Sequence, residues 1–142
     1  MKKGVALIAV LVLLSLLVSG CGGGSPSDAV KAFYKAGNEG NYAKAKSYLS
    51  IHTQMAMEMW PLGMPSFEEQ MHAATKEGTI ARIDIKGGEE YGYMAILYLT
   101  LHYRDGSQEK DTVQLKKEDG KWKIYMSSLL MIASYKELWP KS

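Results

Sequence analysis

The chain has 142 residues, with 17 Lys+Arg against 15 Asp+Glu, 46% apolar residues and a single Cys. A charge so near balance excludes a strongly basic nucleic-acid binder, because phosphate contacts need an excess of cations. One Cys excludes an internal disulfide and a multi-cysteine zinc site.

The first twenty residues differ from the rest. Met1-Lys2-Lys3 is a short positive start, and Val5 to Val18 is an apolar run broken only by Ser15. A bilayer-spanning helix takes about 20 residues, so the shorter run suits the apolar region of a signal peptide. Leu17-Val18-Ser19-Gly20 then sets small residues directly before Cys21. Cleavage after Gly20 leaves 122 of the 142 residues and takes Lys2 and Lys3 from the 17 cations, so the mature charges stand at 15 against 15. That length suits one domain with one core.

The order of charged start, short apolar run and aliphatic-small-small-Cys resembles the lipobox of bacterial lipoprotein precursors. The resemblance implies that residues 1–20 are a lipoprotein signal peptide and that Cys21 becomes the mature N-terminus. Cys21 would carry a covalent diacylglycerol and an N-acyl chain such as palmitate, and no other cofactor is expected. The alternative is an ordinary secretory signal that leaves Cys21 as a free thiol. Each buried CH₂ contributes about 0.8 kcal/mol, so one acyl chain holds weakly and two or three hold durably. Residues 21–27 then form the lipidated Cys and a flexible tether, since Gly22-Gly23-Gly24 has no side chains to pack. By the same resemblance, Gly rather than Asp after Cys21 would favour the outer membrane of a two-membrane bacterium. In a single-membrane bacterium the anchor would sit on the outer leaflet of the cell membrane. Either way the expected place is the cell envelope, on an extracytoplasmic membrane face.

Residues 28–142 read as a single domain with a C-terminal tail. Ser25 or Ser27 caps a first helix, with Val30, Phe33, Tyr34 and Gly37 on one face and Gly37 and Gly40 at its end. Asn41 caps a second, whose stripe is Tyr42, Ala45, Tyr48 and Leu49. Residues 51–65 read as irregular, because Trp60-Pro61 and Met64-Pro65 disfavour helix before each proline. Ser66 to Glu69 matches a capping box, and Phe67, Met71 and Ala74 space a third helix that stops near Gly78. From Thr79 the period becomes two, with Ala81, Ile83 and Ile85 on one face. Gly87-Gly88 reads as a turn, and Tyr91 to Tyr103 as a long strand. Thr112 to Lys117 reads as the next strand and Asp119-Gly120 as a hairpin, with Trp122, Ile124 and Met126 on the last strand. The tail from Ser127 to Trp139 reads as a terminal helix or as an extension of that strand.

Helices followed by an antiparallel meander give an α+β fold, with N-terminal helices packed on a curved four-stranded sheet. The segments Ser25 to Ala36, Gly40 to Ala45 and Glu118 to Ile124 resemble small bacterial lipoproteins of the nuclear transport factor 2-like superfamily. That resemblance implies a cone-like domain of unknown function, which often pairs its sheets, so a homodimer is a partner to consider. Enzymes of that superfamily set an Asp, His or Tyr on inward strand positions. With the odd positions of the long strand turned inward, His102 and Asp84 face out and the inward set holds no titratable pair. No Gly-x-Ser-x-Gly elbow, phosphate loop or His-Glu-x-x-His stands in the chain. Catalysis is therefore not expected, and catalytic residues are assigned to none. A polar cluster of Asp84, His102 and a Tyr lining a real cavity would reverse that.

The expected work is binding an envelope protein partner or a small apolar molecule, between helices and sheet near Phe33, Tyr34, Trp60, Tyr93 and Trp122. For each of these the core is the competing role, since aromatics dominate cores. A sharper alternative uses His52, Met55, Met57 and Met59. Thioethers and imidazole suit Cu(I) or Ag(I), and spacing of two aligns side chains in an extended chain. In a helix, 55 and 59 align and 57 does not. Methionines also fill irregular packing without any metal.

Overall fold

A computed structural model of the chain describes residues 24–76 and 78–127. The signal segment, Cys21 and the tail after Ser127 lie outside the described residues. Among the described residues, four helices precede four strands. Helix α1 (Pro26–Asn38) starts on a capping box, in which Asp28 N donates to Ser25 Oγ and Ser25 N donates to Asp28 Oδ2, each at 3.2 Å. Its predicted stripe of Val30, Phe33, Tyr34 and Gly37 is buried. A Cβ at Gly37 would stand 2.0 Å from Met71 Cε, so glycine lets α1 lie close against a later helix. Helix α2 (Tyr42–Ser47) is capped by Asn41.

The region read as irregular contains a helix, α3 (Ile51–Glu58), capped by Ser50. The prolines limit where it ends, not whether it forms. Ser50 Oγ accepts from Thr53 N and supplies the start signal. Helix α4 (Phe67–Thr75) opens on the predicted capping box of Ser66 and Glu69 and ends at Lys76, which is left-handed with φ 46°.

The strands are β1 (Ile80–Tyr91), β2 (Met94–Tyr103), β3 (Gln108–Glu118) and β4 (Lys121–Ser127). They form one antiparallel sheet in the order β1-β2-β3-β4. Asp119 and Gly120 both have positive φ, which gives the two-residue hairpin the twist of its strands. Gly87-Gly88 is not a turn. β1 runs through it with a register shift between Ile85 and Gly87, and the chain reverses at Gly92, φ 59°. The long second strand therefore begins at Met94, not Tyr91. Gly88 is needed for close approach, since a Cβ there would lie 2.4 Å from Ile96 O. A second shift, between Ile80 and Arg82, turns Ile80 inward and leaves Ala81 exposed.

The inner face of the sheet carries Leu97, Leu99, Leu101, Val113, Leu115, Trp122 and Ile124, all buried beneath the helices. Phe33 packs edge-on to Tyr34 with ring centroids 5.1 Å apart and lies 6.3 Å from the Phe67 ring. Each such large side chain contributes about 1.5–3 kcal/mol on burial. On β4 a further shift brings Ser127 opposite Val113, with its side chain buried, and sets Met126 in register with Gln114.

Candidate functional site

Three features of the domain carry chemistry. The first lies inside. β3 begins at Gln108 rather than Thr112, and Asp111 stands two residues before Val113, in phase with the buried face. The side chain is 2% exposed. Its Oδ2 accepts from the Tyr34 hydroxyl and from Ser127 Oγ, the latter at 2.9 Å. The inward face therefore does hold a titratable pair, and the inward set read from sequence lacked it. Burial, then the Asp111 carboxylate, push the Tyr34 phenol well above its ordinary value. Tyr103 borders this region and is raised as well, by burial and then by Glu109. Its hydroxyl donates to Ala74 O at 2.7 Å. Phenols held protonated at neutral pH donate hydrogen bonds and do not act as bases. Among the described residues no buried side-chain N or O lacks a partner.

The second feature is an open groove of about 740 Å³ between the start of α1 and β1. Ile83 and Ile85 give its floor some apolar surface over buried Ala95 and Leu97, and the charged residues Lys31, Asp84, Lys86, Glu89 and Glu90 also line it, so the lining is mostly polar. The third is on the outer face, where Asp84, His102, Arg82 and Lys86 meet. His102 Nε2 lies 2.8 Å from Asp84 Oδ2, and Arg82 Nε lies 3.1 Å from Asp84 Oδ1. Partial burial pushes the Asp84 carboxyl up. The His102 hydrogen bond and the Arg82 and Lys86 charges outweigh it and hold the carboxyl below its ordinary value. Asp84 and Lys86 of this cluster also line the groove, whereas Arg82 and His102 do not.

The five aromatic positions do not gather around one opening. Phe33, Tyr34 and Trp122 are buried in the core, whereas Trp60 is half-buried and Tyr93 is 66% exposed. The groove lining includes none of the five. His52, Met55 and Met59 are exposed, while Met57 packs against the core. Because residues 51–58 are helical, the spacing of two does not bring the three thioethers to one face. The signal that finds Asp111 is a carboxylate in phase with Val113 and Leu115.

The model of the family described as a domain of unknown function, DUF4878, matches residues 19–125. The chain belongs to the DUF4878 family. The DUF4878 domain has the fold of the nuclear transport factor 2-like proteins, as the superfamily resemblance implied. Among solved structures it is similar to a Campylobacter jejuni protein provisionally named an NTF2-like transpeptidase, at 19% identity and a TM-score of 0.54. That likeness covers 72% of this chain and 99% of that one. It is also similar to RPA3114, a SEC-C motif containing protein from Rhodopseudomonas palustris, at 13% identity and a TM-score of 0.52, over 67% of this chain and 70% of that one. At these identities the likeness is one of fold. No curated protein matches the chain.

Proposed function

We propose that this DUF4878 protein is an envelope lipoprotein, anchored through acylated Cys21, whose domain is a non-catalytic binding module. The observation that carries the binding role is the groove between α1 and β1, open to solvent, with a mostly polar and charged lining around the apolar surface of Ile83 and Ile85. Two further facts support it. The interior acid is packed over and hydrogen-bonded, and its phenol partner is held protonated. The groove is bordered by Ser25, four residues after Cys21, so at about 3.5 Å per residue it would stay within some 14 Å of the anchor.

Growing cells on labelled palmitate tests the anchor. The full chain should take up label and stay with membranes, and Cys21→Ser should lose both. Placing a photo-crosslinking residue at Lys31, in the groove, and separately at Lys110, exposed on the sheet's outer face, tests the module. An adduct formed only from position 31 supports groove binding. Equal labelling at both positions, or none, overturns it.

A further inference from the structure

The two edges of the sheet are finished differently. At β4, Ser50 N donates to Ile124 O and Ile124 N donates to Tyr48 O, each at 2.8 Å. Thr53 Oγ1 donates to Tyr125 O at 2.8 Å, and the Glu118 carboxylate accepts from Ile51 N at 3.0 Å. The chain between α2 and α3 thus closes that edge. At β1 only the first residue is closed, where the Asn38 side-chain amide accepts from Ile80 N and donates to Ile80 O. From Arg82 to Tyr91, among the described residues, no β1 backbone group bonds outside the ladder with β2.

An open edge is usually blunted by bulges and charge. The near half of β1 fits that description, with two register shifts and with Lys86 beside Asp84. The far half does not. Gly87 to Tyr91 pair in regular register with Tyr98 to Met94, and the first two of those five residues carry no side chain. This stretch fronts the groove. A small apolar molecule could use the floor, but it would leave the row of edge N–H and C=O groups to water. Another extended backbone satisfies both. The side chains at the far end, Glu89 and Glu90, are exposed acids, so the complementary strand is basic there.

We infer that the groove receives an extended peptide, which adds to β1 as a fifth strand, with apolar residues over Ile85 and Leu97 and basic residues beside Glu89 and Glu90. This deepens the groove-binding reading and rests on it. The test uses the full chain extracted in detergent and a short peptide of alternating valine and lysine, followed by hydrogen–deuterium exchange. At saturation, exchange at residues 87–91 should slow about tenfold while β4 is unchanged. Alternate N-methylation of the peptide, in the phase that removes its donors to β1, should weaken binding at least about tenfold, as losing two or more net hydrogen bonds requires. The double variant Glu89→Lys, Glu90→Lys should weaken it similarly and keep its thermal unfolding.

Binding that ignores N-methylation in both phases overturns strand addition. So does protection of residues 82–91 without peptide that grows with protein concentration, because the occupant is then a second copy. Fluorescence of an anilinonaphthalene dye that Leu97→Asp abolishes, with no peptide protection, overturns the peptide and keeps the groove. No binding of dye or peptide overturns both.

Discussion

The inner and outer carboxylates make the most informative pair in the molecule. Asp111 and Asp84 both stand on the sheet, and both are held by hydrogen-bond donors. Asp111 is closed in with a phenol and a serine hydroxyl, and its environment shows in its neighbour, whose proton is held tightly. Asp84 sits among a guanidinium, an imidazole and an ammonium in reach of water, and its own proton is released early. Low dielectric makes the first set of bonds strong and expensive to break, whereas solvent screens the second. The sequence pattern turned Asp84 and His102 outward and kept them only as a fallback site, to count if they lined a cavity with a Tyr, yet the larger energetic stake is at Asp111, which it did not single out.

The largest effect should come from Asp111→Ala. It removes the acceptor shared by Tyr34 and Ser127 and opens a void, and a hydrogen bond to a charged group is worth about 1.5–3 kcal/mol. A loss of about 3 kcal/mol should appear as a lower urea midpoint at unchanged slope. A loss under about 1 kcal/mol would mean that the interior rearranges freely, and the contrast between the two carboxylates would fail.

Tyr34→Phe should cost less, about 1–2 kcal/mol, because the ring stays packed on Phe33 and only the hydroxyl goes. Its sharper signature is in alkali. Tyr34 keeps its proton in the folded state beyond the point where an unfolded tyrosine loses it, near pH 10. The stabilisation is complete below that pH and is lost as pH climbs above it. Wild type should therefore weaken steeply above about pH 10, and Tyr34→Phe should flatten the slope, leaving the share from Tyr103. Identical alkaline slopes would show that the phenol is not the group that titrates.

The same contrast explains what could be read in advance. Helix starts at Ser25, Asn41 and Ser66 were legible because capping is a local hydrogen-bond pattern. Alternation along β2 was legible because one face packs and the other meets water. Gly87-Gly88 misled, since glycine pairs serve bulges and close approach as well as turns, and only the register decides. Asp111 was missed for a related reason. Charge near a strand end reads as solvated, and it becomes an interior group only when the strand is long enough to carry its phase back past Thr112. An opening between helices and sheet was expected, but around other residues, because the lining depends on how the start of α1 lies against β1.

The smallest effect belongs to Asp84. His102→Phe removes one donor and leaves Arg82 and Lys86 in place. Followed by carbon NMR, the Asp84 carboxyl should titrate below the ordinary carboxylate range in wild type and move up toward it in the variant. Its contribution to stability is present above the ordinary carboxylate value near pH 4 and fades as pH falls through the lowered folded value. The variant should thus fall slightly below wild type at neutral pH, and the two should converge on the acid side, where the carboxyl is protonated in both. The neutral-pH shift in urea midpoint should be small, because solvent screens the interaction. A loss at pH 7 as large as that of Asp111→Ala would instead place this cluster alongside Asp111, as a group the fold depends on, and the division into sealed and open carboxylates would have to be redrawn.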